Sequence, residues 1–204
     1  MNAQLYVISA PSGAGKTSLI HALLKQLDNV MLSISHTTRQ AREGEVDGKH
    51  YYFTNTQQFQ QQLDQGDFLE SAQVFDYYYG TSRQAVNDSL ANGQDVILEI
   101  DWQGAKQVLE SMDNAISIFI LPPSYETLQQ RLNHRGQDSA EVIQRRMDDA
   151  MTDMQQSRHF EYIVINDDFD TAVNDLQTIF KSHRLRRGQV AKKASPFIKD
   201  LITI

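Results

Sequence analysis

The segment Ala10-Pro-Ser-Gly-Ala-Gly-Lys-Thr17, here called the phosphate loop, stands between the apolar run Leu5–Ser9 and the helix-like run Leu19–Leu27. It fits the Walker A pattern G-x-x-x-x-G-K-[ST], except that Ala10 replaces the first glycine. Its glycines can point backbone N–H groups inward, and the start of the following helix also favours an anion. A glycine-rich turn with a solvated lysine is the alternative, but the strand–loop–helix context favours phosphate binding. We expect nucleotide phosphates at Ser12, Gly13, Ala14, Gly15, Lys16, Thr17 and Ser18, with the Thr17 hydroxyl on Mg²⁺.

Strand-like and helix-like segments alternate along the rest of the chain. Apolar runs that suit parallel strands buried on both faces lie at Met31–Ser35, Val96–Ile100, Ile116–Leu121 and Tyr162–Asn166. Helices are predicted at about 103–112, 124–134, 139–158 and 168–187. Residues 36–90 interrupt the alternation with turns, aromatic residues and a Gln-rich helix near 56–65. The pattern predicts an α/β fold with a parallel sheet core and an inserted subdomain.

Composition excludes several classes of protein. The chain has 204 residues, 19 Lys plus Arg against 26 Asp plus Glu, and a net charge of −7. It has no cysteine, so disulfides, thiolate metal sites and cysteine nucleophiles are excluded. We find no apolar run of membrane-spanning length and no leader-like segment before Leu5, and expect a cytoplasmic chain. The basic stretch 181–199 is predicted to be a solvated helix and tail rather than a site for nucleic acid or membrane, because the rest of the chain is acidic.

A second anion site is predicted just after the second strand. Ser35, Arg39, Arg42 and Tyr51 gather two guanidinium groups and two hydroxyls, which suits a phosphate, although a surface loop with scattered salt bridges is an equal alternative. In the same region a carboxylate such as Glu70 can accept from the two adjacent N–H donors of guanine, which adenine lacks. Thr81 can donate to the guanine carbonyl. The tyrosines at 77–79 bind phosphate or pack in the subdomain.

These segments together resemble the guanylate kinase family, in particular its bacterial type, from about residue 4 to residue 180. The motifs that carry the resemblance are the phosphate loop, Ser35 through Phe53, Tyr78-Tyr-Gly-Thr81, Ile100-Asp-Trp-Gln-Gly104 and Val164-Ile-Asn-Asp-Asp168. The resemblance implies that the GMP phosphate is bound by Ser35, Arg39, Arg42, Tyr51 and Tyr79, and guanine by Glu70 and Thr81. Gly80 and Asp101 are expected at the same GMP site, and Asn166 near the ATP base. Glu99 departs from the family, which usually has aspartate there.

The resemblance also implies a P-loop NTPase-type fold with a small helical lid. We predict a single domain over 1–204, with a core at about 1–34, 91–124 and 159–190, a GMP-binding insert at 35–90, a lid at 125–158 and a basic tail at 187–204. Arg135 and Arg146 are expected on the transferring phosphates, with Arg131 nearby. Arg145 points about 100° away from Arg146 on a helix, so we expect one of the two in the site. Exposed ion pairing with Glu141, Asp148 and Asp149 is the alternative for these arginines.

The resemblance implies ATP-dependent, Mg²⁺-assisted phosphorylation of GMP, and of dGMP as a second acceptor, with Lys16, Arg39, Arg135 and Arg146 as catalytic residues. Two other functions are weighed: a non-catalytic scaffold module, which the intact Lys16 and Thr17 disfavour, and a sugar-phosphate kinase, which the guanine-reading residues disfavour. The expected partners are the small-molecule substrates, with neither nucleic acid nor membrane. The sequence does not decide whether the chain forms a homo-oligomer, what the basic tail does, or whether allostery occurs. It also does not decide whether Glu99 or Asp101 orients metal-bound water. Trp102 is expected to pack.

Overall fold

The structure is a computed structural model that describes residues 3–74, 76–133 and 140–202, without the side chains of residues 140–143, 192 and 193. Its elements, in chain order, are β1 Leu5–Ser9, α1 Lys16–Leu24, β2 Val30–Leu32, β3 His36–Thr37, β4 Tyr52–Phe53, α2 Thr56–Asp64, β5 Phe68–Val74, β6 Tyr77–Ser82, α3 Arg83–Ala91, β7 Asp95–Glu99, α4 Trp102–Ser111, β8 Ile116–Leu121, α5 Tyr125–Asn133, α6 Ala140–Gln155, β9 Tyr162–Ile165, α7 Phe169–Arg184, α8 Arg187–Lys193 and α9 Pro196–Ile202. A 3₁₀ turn, Gln156–His159, follows α6.

The core is a parallel sheet of five strands in the order β2-β7-β1-β8-β9. Strand β1 lies at its centre, and all five of its residues are buried. One face of the sheet packs on α1 and α7, with Tyr6 stacked on Phe180 at 3.6 Å between ring centroids. The other face packs on α3 and α4 through Val86, Ala105 and Val108. The predicted parallel core flanked by helices is therefore confirmed.

Two predicted strands differ from the observed ones. Strand β9 lies at the sheet edge, and its alternate residues Ile163 and Ile165 are 45% and 55% exposed, so the prediction of burial on both faces is wrong there. The other face of β9 packs on the core, where Val164 is buried. The second strand covers Val30–Leu32 rather than Met31–Ser35, since it pairs with β7 over three residues.

A second sheet of four strands, in the order β4-β3-β6-β5, lies within the predicted insert. Its β3–β4 pair is parallel and its other pairs are antiparallel, so the sheet is mixed. Helix α2 covers it by placing Phe59 on the rings of Phe68 and Tyr78. The Asn55 side chain caps this helix by accepting from the Gln58 backbone N–H.

Five helices, α5 to α9, follow strand β8 in the part of the chain that the structure describes. Helices α5 and α6 share a small apolar cluster made of Leu128, Leu132, Met147 and Ala150. Asp168 caps α7 by accepting from the Thr171 backbone N–H. Most of the predicted basic tail forms α8 and α9. Among the described helices none is long and apolar enough to cross a membrane.

Candidate active site

The phosphate loop leaves the buried strand β1 and leads into α1. Gly13 and Gly15 have φ angles of 89° and 92°, a conformation that L side chains rarely adopt. Gly15 is also the N-cap residue of α1, so the backbone N–H groups of the loop and of the first helical turn lie together. Ala10 is not among the residues with positive φ, which explains why the first glycine of the pattern is dispensable here.

Side chains from other parts of the chain stabilise the phosphate loop by hydrogen bonds. The Asn166 side-chain amide donates to the Ala14 carbonyl oxygen at 2.7 Å. Arg131 of α5 donates to the Asn166 carbonyl oxygen at 3.0 Å and to the Ala14 carbonyl oxygen at 3.5 Å. A Cβ at Gly15 would lie 2.5 Å from the Asn166 amide nitrogen. Asn166 is 5% exposed, so the structure assigns it to the support of the loop, and its expected place near the ATP base stays a prediction.

Lys16 and Thr17 reach the end of β7. The Lys16 ammonium donates to the Ile100 carbonyl oxygen at 2.9 Å. Burial lowers the pKa of Lys16, while the carboxylates of Glu99 and Asp101 act in the opposite direction. The Thr17 hydroxyl donates to Glu99. The longer side chain that replaces the usual aspartate therefore reaches the phosphate loop directly.

One cavity of about 410 Å³ joins the phosphate loop to the second sheet. We call it the central cavity. The predicted site residues that line it are Ser12, Gly13, Gly15, Lys16, Thr17, Ser18, Ser35, Tyr51, Glu70, Tyr79 and Asp101. Glu99, weighed from the sequence as a group that could orient metal-bound water, also lines it, as do Ala10, Pro11, Ala72, Val74 and Ile100, which were not predicted as ligands. Residues of both predicted anion sites therefore line one cavity.

Glu70 is a buried carboxylate on the wall of this cavity. It is 4% exposed, and burial, with a further contribution from Asp101, raises its pKa to about 7. The Thr81 hydroxyl donates to it at 2.6 Å. A Cβ on Gly104, in the first turn of α4, would lie 2.4 Å from Glu70 Oε2, so the absence of a side chain there makes room for the carboxylate.

Arg39 lies behind the cavity wall rather than on it. It donates to Glu45 at 2.8 Å, and its guanidinium carbon lies 5.4 Å from the centroid of the Tyr51 ring. The hydrogen bond to Glu45 raises the pKa of Arg39, and the same pair holds the pKa of Glu45 at about 2. Glu45 also accepts from the Arg42 backbone N–H at 2.7 Å, while the Arg42 side chain is exposed. Sequence reasoning missed Glu45, although this acid stands between the two arginines and the tyrosine.

Gly80, predicted at the GMP site, is closely packed in the second sheet. A Cβ there would lie 2.9 Å from the Phe68 ring and 3.1 Å from the Phe59 ring. Gly80 therefore packs against the aromatic core of the insert, and a side chain at this position would clash with it. Its expected contact with GMP stays a prediction.

Two residues of α6 contact the rest of the site. The Arg146 guanidinium donates to the Ser12 hydroxyl in the phosphate loop at 3.0 Å, whereas Arg145 is exposed. Arg135 lies outside the described residues. About two turns further along α6, near its C-terminal end, Asp153 accepts a hydrogen bond from the Trp102 indole N–H at 3.0 Å. That bond was not expected from the sequence, where Trp102 was assigned to packing.

Comparison with known proteins identifies the family. A family model described as guanylate kinase matches residues 2–183. The chain is 57% identical to a guanylate kinase of Methylobacillus flagellatus over 99% of this chain and all of that protein. It is 52% identical to a guanylate kinase of Escherichia coli over 97% of both chains. The crystal structure of guanylate kinase from Anaplasma phagocytophilum superposes with a TM-score of 0.76 at 31% identity, covering 91% of this chain and 88% of that one. The chain therefore belongs to the guanylate kinase family.

Proposed function

We infer that this chain transfers the terminal phosphoryl group of ATP to GMP, giving ADP and GDP. Family membership supports this reaction, and one structural observation carries its application here. The buried Glu70 and the Lys16 of the phosphate loop line the same cavity, so a carboxylate able to read guanine faces a phosphate site. dGMP is proposed as a second acceptor. We also propose that the protein works in the cytoplasm on small-molecule substrates alone.

Acceptor recognition is assigned to the second sheet. The ionised Glu70 carboxylate would accept from the ring N–H and the exocyclic amine of guanine, a pair of donors that adenine lacks. The buried Thr81 hydroxyl donates its one proton to this carboxylate, so a bond from Thr81 to the guanine carbonyl would require that hydroxyl to turn away from Glu70. The hydroxyls of Ser35, Tyr51 and Tyr79 line the cavity and would bind the GMP phosphate. Arg39 and Arg42 would add positive charge there, since Glu45 already orders their segment.

Donor binding is assigned to the phosphate loop. Residues 12–18 would hold the ATP phosphates through backbone N–H groups and Lys16. The Thr17 hydroxyl beside Glu99 provides oxygen atoms of the kind that Mg²⁺ prefers, and Thr17 would bind the ion directly. Bound Mg²⁺ would neutralise charge on the transferring phosphates. Among the described residues, no group of three or more His, Asp and Glu side chains could hold a metal ion.

For phosphoryl transfer, the protein has to position the two substrates and supply positive charge to the transferring group. The acceptor is a phosphate oxygen that is already ionised, so no strong general base is required. Lys16, Arg39 and Arg146 would converge on the transferring group, together with Arg135 from the lid. One such arginine can be worth about 10³–10⁵ in rate. The hydrogen bond from Arg146 to Ser12 of the phosphate loop supports this role for Arg146.

The test measures ATP-dependent ADP formation with GMP, AMP, CMP and UMP as acceptors, for wild type, Glu70→Ala and Glu70→Gln. We expect turnover with GMP, and a loss of at least about a hundredfold in kcat/KM in both variants, because hydrogen bonds to a charged acceptor are lost. Equal turnover with AMP would overturn the assignment of Glu70. Binding of ATP and GMP without turnover would instead support a scaffold-type binding module.

A further inference from the structure

Helix α6 is attached to the start of α4 by a hydrogen bond between side chains. The Trp102 indole N–H donates to Asp153 Oδ1 at 3.0 Å. Trp102 is the first residue of α4, and Asp101, the residue before it, caps that helix by accepting from the Gly104 backbone N–H. Asp153 is half-buried near the C-terminal end of α6. The bond therefore joins α6 to a rigid, capped helix start.

Arg146 and Asp153 lie on the same side of α6. They are seven residues apart, which is about two helical turns, or about 10 Å along the axis. Between them, Met147 and Ala150 are buried against Leu128 and Leu132 of α5. Residues 146–153 of α6 thus make a polar contact at each end of this segment and an apolar contact between them. Because an α-helix is stiff over two turns, a shift at Asp153 would also displace Arg146.

The start of α4 lies beside both substrate sites. The Ile100 carbonyl, just before it, accepts from Lys16 of the phosphate loop. Gly104, in its first turn, lies against the Glu70 carboxylate. Burial raises the pKa of Asp153 to about 6, and the charges that act on it include Asp101, Asp149 and Lys16. Asp153 is therefore connected to the ATP side and the GMP side through one short segment.

We propose that Asp153 is a positioning residue whose hydrogen bond with Trp102 sets the placement of α6 and so holds the Arg146 guanidinium at the phosphate loop. The proposal rests on the proposed role of Arg146 at the transferring phosphates. It goes beyond that role, because it names the contact that fixes the helix carrying Arg146 to the start of α4, which lies beside Glu70. Asp153 does not touch the reacting atoms and acts through Arg146.

The first experiment measures kcat and KM for wild type, Asp153→Ala, Asp153→Asn, Arg146→Ala and the double variant Asp153→Ala/Arg146→Ala. We expect Asp153→Ala to lower kcat by about tenfold with little change in the KM for GMP, as for a group that acts at the transition state. Asp153→Asn should recover most of kcat, because its amide oxygen still accepts from the indole. Asp148→Ala, an exposed acid on the same helix, is the control and should match wild type.

The double variant decides whether Asp153 acts through Arg146. If it does, adding Asp153→Ala to Arg146→Ala lowers kcat little further, since residues that act as a unit are not additive. Equal fold losses in both backgrounds, or an unchanged kcat in Asp153→Ala, would overturn the proposal.

A second readout does not depend on turnover. Trp102 is the one tryptophan of the chain, so its fluorescence reports on this contact directly. We expect the imido analogue of ATP to change the emission of wild type and Asp153→Asn, and to change that of Asp153→Ala and Arg146→Ala much less. If wild type showed no kinase activity, the proposed function would fail while this readout still judged the coupling. An identical response in wild type and both weakened variants would overturn the inference.

Discussion

Glu70 combines two properties that act against each other. It has to be ionised to accept two N–H donors from guanine, yet its burial raises its pKa to about 7. Thr81 donates to one of its oxygens and favours the charged form, whereas the nearby Asp101 opposes it. The carboxylate of the free protein therefore changes protonation close to neutral pH. Guanine recognition should depend on pH for this reason.

The kcat/KM for GMP should fall as pH drops below about 7. The sign follows from the chemistry, because protonation of Glu70 removes acceptor capacity and the raised pKa places this loss near neutrality. We expect kcat/KM for GMP, measured from pH 5.5 to pH 8.5, to show an acid limb with an apparent pKa near 7. GMP itself has a phosphate that titrates near pH 6. Glu70→Gln, assayed with the same substrate, isolates the contribution of the protein, and matching profiles for variant and wild type would contradict the prediction.

Helix α4 is the element on which the site converges. Its start carries Asp101 and Trp102, and the carbonyl just before it accepts from Lys16. Gly104 lies in its first turn, where glycine normally costs about 1 kcal/mol relative to alanine. Glycine is nevertheless favoured at position 104, because the Glu70 carboxylate occupies the space that a side chain would take.

Gly104→Ala should therefore impair acceptor binding although alanine is the better helix former. The added Cβ would lie 2.4 Å from Glu70 Oε2, so the carboxylate has to move. We expect the KM for GMP to rise by about tenfold or more, the effect of losing roughly one charged hydrogen bond, and the KM for ATP to change little. Gly188→Ala in α8 is the matched control, since a Cβ there meets nothing within 4 Å. An unchanged KM for GMP in Gly104→Ala would show that Glu70 tolerates the displacement.

The elements were predictable from the sequence where local patterns determine them. The run Ile116–Leu121 is β8 with the same bounds, and the Gln-rich helix near 56–65 is α2. Contacts between distant segments were not predictable, because composition and spacing do not fix them. The side chains of Asn166 and Arg131 meet Ala14 across more than a hundred residues. The edge position of β9 also depends on sheet order, which an apolar run does not reveal.

The site was predictable in its residue types and only partly in its contacts. Eleven of the predicted residues line one cavity, because the phosphate loop and the second sheet each carry their own motif. Arg39 was predicted as a phosphate ligand, and the structure shows it paired with Glu45 behind the wall. The bond between Trp102 and Asp153 has no signal in the sequence, since neither residue belongs to a spacing pattern with the other.

At the scale of the whole molecule, the buried Glu70 and the half-buried Asp153 have raised pKa values that reduce the stability of the fold as pH rises. Glu70 and Asp153 have pKa values of about 7 and about 6, against ordinary values of 4.5 and 3.8. Between the ordinary and the raised values the folded protein binds more protons than the unfolded chain, so the free energy of unfolding decreases as pH rises through this window. Burial lowers the pKa values of His36 and His183, which act in the opposite direction. Variants must therefore be compared with wild type to isolate the contribution of the two acids to the pH dependence of the free energy of unfolding.

Glu70→Gln and Asp153→Asn should each become more stable relative to wild type as pH is raised from 5 to 8. The histidines are the same in all three proteins, so the difference in the free energy of unfolding reports the acid alone. At about 1.36 kcal/mol per pKa unit, the gain for Glu70→Gln has a ceiling of about 3 kcal/mol. Urea denaturation of wild type and both variants at pH 5 and pH 8 measures it. Parallel pH dependence of wild type and Glu70→Gln would mean that Glu70 is ionised in the free protein at pH 5. The acid limb in GMP use would then have to come from another group, because both effects follow from the same raised pKa.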